Sequence, residues 1–161
     1  MVMVTSTTRY FLSGAILALV LGLLSDASIS AQPNTNGQFP ARISGSEIST
    51  LIRTTMIAVN QANLTGNYTV FRDLSSSDFR KKTAADISEQ FRYMRSAGID
   101  LSSTVLIDPR IVGGARLTTD GVLRLDGYFD TAPELTAFML VYRYEDNAWR
   151  IASITIEFHP K

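Results

Sequence analysis

The chain has 161 residues, 45% of them hydrophobic and 19% charged, with 15 basic and 15 acidic side chains and no cysteine. That length holds one domain and a targeting segment, and that composition folds rather than staying disordered. Zero net charge leaves no overall electrostatic footprint for nucleic acid, and the absence of cysteine excludes disulfides, thiolate catalysis, zinc–thiolate sites and a lipidated N-terminal Cys.

The first nine residues carry one positive charge, Arg9, and residues 11–24 form an uncharged apolar run. Residues 25–32 are small and polar, with Ser28 and Ser30, or Ile29 and Ala31, in the −3 and −1 places. This is the layout of a secretory signal peptide, residues 1–31, cleaved after Ser30 or Ala31, and it predicts a periplasmic or secreted protein. The run is shorter than the ~20 residues of a membrane-spanning helix. The alternative is an uncleaved anchor, and only then is the protein held to a membrane. Residues 32–45, rich in Pro, Asn, Gly, Gln and Ser, are expected as a flexible linker to a domain at 46–161.

Ser46 is placed to cap a first helix whose apolar stripe is Ile48, Leu51, Ile52, Thr55, Met56, Val59 and Asn63, ended by Gly66. Asn67 is expected to cap a short second helix through Leu74, with Tyr68, Val70, Phe71 and Leu74 on its apolar side. Thr83 caps a third helix that buries Ile87, Phe91 and Met94 and stops at Gly98. After Gly98 the period falls to two. Strands are expected at 102–108, 111–118, 122–130, 134–144 and 148–158, joined by short polar turns as antiparallel neighbours. The fold class is therefore α+β, three N-terminal helices packed on a curved antiparallel β-sheet.

The last two strands read as apolar on both faces. In 134–144, Leu135, Ala137, Met139 and Val141 lie on one face, and Phe138, Leu140, Tyr142 and Tyr144 on the other. In 148–158, Ile154, Ile156 and Phe158 lie opposite Trp149 and Ile151. A sheet with one wet face alternates apolar and polar residues. This pattern predicts that a curled sheet edge or a second subunit covers the far face, and favours a homodimer through the sheet.

Helix, short helix, helix and then a curled meander resembles the nuclear transport factor 2-like, or cystatin-like, superfamily. Residues 54–68, TTMIAVNQANLTGNY, resemble the junction of the first two helices in its small exported bacterial members. Residues 121–129, GVLRLDGYF, resemble their central strand, and Asn147-Ala148-Trp149-Arg150-Ile151 followed by Ser153-Ile154 resembles their closing strand. The resemblance covers about residues 46–158 and implies a cone-shaped fold. Those members are of unknown function, so no functional residues carry over. Enzymes of the superfamily, of the ketosteroid isomerase and polyketide cyclase types, place an Asp or His base inside the cone. The only histidine here is His159, near the C-terminus, a poor position for a general base.

A general base needs a perturbed pKa in a dry pocket. The best-placed acid is Asp126, which shares a strand face with Arg124, Tyr128 and Asp130. It reads as a surface ion pair or, in a lyase or isomerase, as a pocket acid oriented by Arg124. The aromatics and their neighbours Tyr68, Phe71, Phe79, Phe91, Met94, Tyr128, Tyr142 and Trp149, with Arg124, form either core or the lining of a pocket for a small apolar ligand. Arg80-Lys81-Lys82 reads as a solvated loop. No spacing suggests a metal site or a cofactor. The sequence thus favours a non-catalytic exported domain that binds an apolar ligand or a protein. The rivals are the carboxylate enzyme and a membrane-anchored periplasmic assembly component of a secretion system.

Overall fold

The structure is a computed structural model, and it describes residues 39–161. The expected signal peptide, its cleavage site and most of the linker lie outside the described residues. The described end of that linker packs on the domain: Ile43 lies against the core and the Phe39 ring lies over Gly121.

The first helix, α1 (Gly45–Thr65), starts two residues earlier than a cap at Ser46 would place it. Ser44 is the cap, because Glu47 three residues on closes a reciprocal capping box with it. One face of α1 buries Ile52, Thr55, Met56, Val59 and Asn63. The second helix, α2 (Thr69–Asp73), is a single turn. Asn67 holds its start by accepting the Thr69 amide at 3.0 Å.

The expected third helix is two, α3 (Ala84–Gln90) and α4 (Arg92–Ser96), meeting at Phe91. The cause is visible in the hydrogen bonds. The Arg95 guanidinium donates to the Ser88 carbonyl at 2.6 Å. In an unbroken helix that carbonyl would serve the amide of residue 92, and a side chain entering the ladder kinks it. Helices before the sheet therefore number four rather than three, with a 3-10 helix at Phe79–Lys81 between α2 and α3.

The expected strand at 102–108 is instead the 3-10 helix Ser102–Val105. Local polar side chains capture its backbone. The Asp100 carboxylate accepts the Ser102 amide at 2.9 Å, Asn60 accepts the Leu101 amide at 2.9 Å, and the Thr104 hydroxyl donates to the Leu101 carbonyl at 2.6 Å. Such bonds compete with a strand ladder. The expected strand at 111–118 is two short pieces, β1 (Arg110–Ile111) and β2 (Arg116–Leu117), divided by Gly113 and Gly114, both at positive φ.

The remaining strands form as expected: β3 (Val122–Phe129), β4 (Glu134–Glu145) and β5 (Ala148–Pro160). The five-stranded antiparallel sheet has the order β1-β3-β4-β5, and β2 also pairs with β3. Its inner face presents Leu123, Leu125, Phe129, Phe138, Leu140 and Ile154 to the helices, all nearly fully buried. A β-bulge corrects one expectation. Val141 pairs with Ser153 but Tyr142 pairs with Ile151, so Ala152 is an extra residue. One inserted residue reverses the parity of the strand. Trp149 and Ile151 therefore share the inner face with Ile154, Ile156 and Phe158. The outer face of β5 is polar, with Ser153, Thr155, Glu157 and His159 opposite Val141, Met139, Ala137 and Leu135.

Candidate functional site

The apolar residues of α1 are too many for the sheet alone to cover. On the side of α1 toward α2, residues Ile57 and Ala58 are only half-buried. The single turn of α2 cannot bury four apolar side chains at once. Tyr68 and Phe71 go into the core, while Val70 and Leu74, four residues apart on one helix face, stay 65% and 56% exposed. Between these surfaces lies a hollow of about 480 Å³, lined by Ile57, Ala58, Gln61, Val70, Phe71 and Leu74 among others. A second hollow of about 290 Å³ continues toward the β4–β5 hairpin, where Tyr142, Trp149 and Arg150 border it. Thr54, Ala58, Phe71 and Leu74 line both, so the two form one groove.

The groove wall is mostly apolar, with Thr54, Thr55, Gln61, Thr65 and Asn67 as its uncharged polar residues, and of its lining residues only Tyr142 and Arg150 ionise. Tyr142 is fixed. Its hydroxyl donates to the Leu51 carbonyl at 3.1 Å and lies 2.9 Å from the Thr55 hydroxyl. Burial pushes this phenol well above its ordinary value, against a smaller lowering by Thr55. Folded protein thus keeps the proton at a pH where an unfolded tyrosine, pKa ~10, has lost it. Stability from this group is complete below pH ~10 and is lost as pH rises through the folded pKa. Urea unfolding of the native protein should therefore weaken by up to about 1.4 kcal/mol per pH unit above ~10. Tyr142→Phe should remove that share of the slope, and identical slopes in both proteins would refute the assignment.

Arg150 is different. Its Nε is buried without a hydrogen-bond partner and makes only a long ion pair, 3.9 Å, with the Asp146 carboxylate. A buried guanidinium donor left unmade costs free energy until an acceptor arrives.

The sequence-predicted site residues separate into three sets. Tyr68, Phe71, Phe79, Phe91, Met94 and Tyr142 are core, each at most 4% exposed. Of these, only Phe71 and Tyr142 also border the groove. Tyr68 and Phe91 stack at 6.0 Å, and the Tyr68 hydroxyl takes a bond from Arg95 at 2.6 Å and donates to Asn63. Trp149 is half-buried at the groove and meets Tyr144 edge-on at 5.2 Å. Arg124, Asp126 and Tyr128 lie on the outer sheet face, away from the helices.

On that face the Asp126 carboxylate pairs with Arg116 rather than with Arg124, and its side chain is 33% exposed. Arg116 and Arg124 are cross-strand partners, and the carboxylate takes the nearer β2 guanidinium. His159 is exposed, 3.4 Å from Glu157. The carboxylates that shift all shift downward. Glu47 is lowered by hydrogen bonding to Ser44, Asp86 to Thr83, Asp100 to Ser102 and Asp120 to Thr118. Asp78 and Asp130 are lowered by the lysines they pair with, Lys81 and Lys161. None of the six lines the groove.

Sequence reasoning did not select Ile57, Ala58, Val70 and Leu74 as binding residues. The available signal was the α2 register: Val70 and Leu74 fall four apart, while Phe71 faces elsewhere, in a helix too short to turn both faces inward. No group of acidic or histidine side chains able to hold a metal occurs among the described residues, and no described helix is long and apolar enough to cross a membrane. No family model, curated protein or solved structure matches the chain.

Proposed function

We propose that this is an exported domain of the nuclear transport factor 2-like kind that binds an apolar ligand ending in an acidic group, such as a fatty acid. The ligand lies in the groove between α1, α2 and the β4–β5 hairpin, and its acid meets Arg150. The observation that carries this reading is a largely apolar groove bordered by one arginine, Arg150, whose Nε is buried without a hydrogen-bond partner. Helices first and a twisted antiparallel meander second support the superfamily assignment, and the n-h-c pattern of residues 1–31 supports export. Binding needs no reactive side chain here: apolar burial supplies ~25 cal/mol per Å² and the charge-assisted bond fixes the orientation.

Trp149 is the sole tryptophan of the chain and borders the groove, so its fluorescence reports occupancy. Titration with decanoate should shift its emission. Ala58→Phe, which fills the shared part of the groove, should abolish the shift. Arg150→Gln should weaken decanoate about tenfold or more while leaving decanol unchanged, since charged hydrogen bonds contribute ~1.5–3 kcal/mol. An emission indifferent to decanoate at millimolar concentration, or unaltered binding in Ala58→Phe, would overturn the proposal.

A further inference from the structure

The groove follows one stripe of α1. Leu51, Thr54, Ala58, Gln61 and Thr65, three and four residues apart by turns, all line it. Such spacing lays residues in a row along one helix face. Thr65 is fourteen residues beyond Leu51 in α1, so the row is about 21 Å long at ~1.5 Å per residue. Phe71 and Leu74 form the facing wall over the middle that the two hollows share. The two ends of the row differ. Arg150 borders only the hollow that begins at Leu51, and Gln61, Thr65 and Asn67 border only the other.

The Gln61 end is polar but carries no charge, since no residue lining that hollow ionises. The Thr65 hydroxyl is occupied: it donates to the Gln61 carbonyl at 2.7 Å and accepts the Asn67 amide at 3.3 Å. Asn67 Oδ1 accepts the Thr69 amide at 3.0 Å. Its Nδ2 and the side-chain amide of Gln61 have no hydrogen-bond partner among the described residues, and both side chains are exposed. This end therefore offers a ligand two N–H donors and one carbonyl acceptor.

A C–C bond of ~1.5 Å at tetrahedral angles advances ~1.25 Å, so an extended chain of about sixteen carbons spans the row. Granted the acid-ended apolar ligand proposed for this groove, we infer that the ligand is two-headed, a long unbranched chain with a hydroxyl at the end remote from its acid. The acid lies at Arg150 and the hydroxyl between Gln61 and Asn67. A hydroxyl both donates and accepts, so it can donate to the Gln61 carbonyl and take a bond from Asn67 Nδ2. A bare methyl end would cover both amides from water and leave them unpartnered. A second carboxylate would find no counter-charge among the lining residues. Gln61 and Asn67 thus set specificity at one end of the groove and Arg150 at the other.

Trp149 emission reads each affinity, with ligands kept below the concentration at which they aggregate. Binding should tighten with each added pair of methylenes from decanoate to hexadecanoate and gain nothing from longer chains. Addition of an ω-hydroxyl to hexadecanoate should tighten binding about fivefold, the worth of one neutral hydrogen bond, while hexadecanedioate should bind no tighter than hexadecanoate. Gln61→Leu should reverse the preference in favour of hexadecanoate. Asn67→Asp keeps the acceptor for the Thr69 amide but loses the donor, and should reduce the preference about twofold with an unchanged unfolding transition. A plateau at about twelve carbons, an ω-hydroxy acid bound no tighter than hexadecanoate, or a preference intact in both variants would each overturn the inference. Those outcomes leave the fatty-acid reading standing, because decanoate binding and its loss in Ala58→Phe do not depend on Gln61 or Asn67. No response to decanoate would overturn both.

Discussion

Phe138→Ala should lower the unfolding free energy by about 3–5 kcal/mol, the cost of deleting a large buried aromatic without collapse of its site. Phe138 is 2% exposed and lies at the middle of β4. Its ring meets Phe129 at 5.5 Å and covers the backbone of Gly127, its cross-strand partner. Phe129 and Leu140 are themselves 0% exposed, so neighbours have no slack with which to fill the hole. Against a typical stability of ~5–15 kcal/mol, the loss approaches the whole margin. Urea denaturation of the variant measures it. A loss below about 1 kcal/mol would mean that the inner sheet face is not the packed core described above. Tyr128→Ala is the contrast, one residue from Phe129 but on the outer face. It should cost well under half as much, because Tyr128 is only half-buried.

Gly127→Ala should be nearly as damaging although it adds one methyl group. A Cβ at this position would sit 2.3 Å from the Arg110 carbonyl oxygen and 2.8 Å from the tip of the Phe138 ring. The ring can shift, but the carbonyl belongs to the β1 backbone, which is held by pairing of Arg110 with Tyr128 and by the Val112 amide on the Asp126 carbonyl at 2.8 Å. Relief therefore requires β1 to leave the sheet. Overpacking of this type costs about 1–3 kcal/mol, and loss of the β1 bonds puts Gly127→Ala at the upper end. Hydrogen exchange locates the damage. The Val112 amide should lose protection in the variant while amides of the β4–β5 ladder keep theirs. Adding Phe138→Ala should not rescue Gly127→Ala, because the closer obstacle is backbone. A rescue would place the conflict at the ring instead.

Much of the architecture was legible as local pattern. The α1 stripe, the Thr83 cap and the three long strands are each written within a few consecutive residues, where one periodicity and one polar cap decide the conformation. The failures share a cause. Phe91 breaks a helix because Arg95 reaches back to the Ser88 carbonyl. Residues 102–105 coil because Asn60, some forty positions earlier, accepts the Leu101 amide. Trp149 and Ile151 change sides because a bulge at Ala152 shifts the count. None of these partners is marked in the pattern of the segment it alters.

The same division holds for function. Composition alone excluded cysteine chemistry and an overall basic surface, and the leader pattern alone pointed to export. Asp126 and its strand-face neighbours were placed together by parity, but its partner was not: Arg116 arrives from a different strand. The groove was invisible in sequence because its walls are the residues that α1 and α2 leave over after the core is filled. Which apolar side chains are left over depends on how many can fit against the sheet at once. That is a question of volume and direction in three dimensions, and no local periodicity answers it.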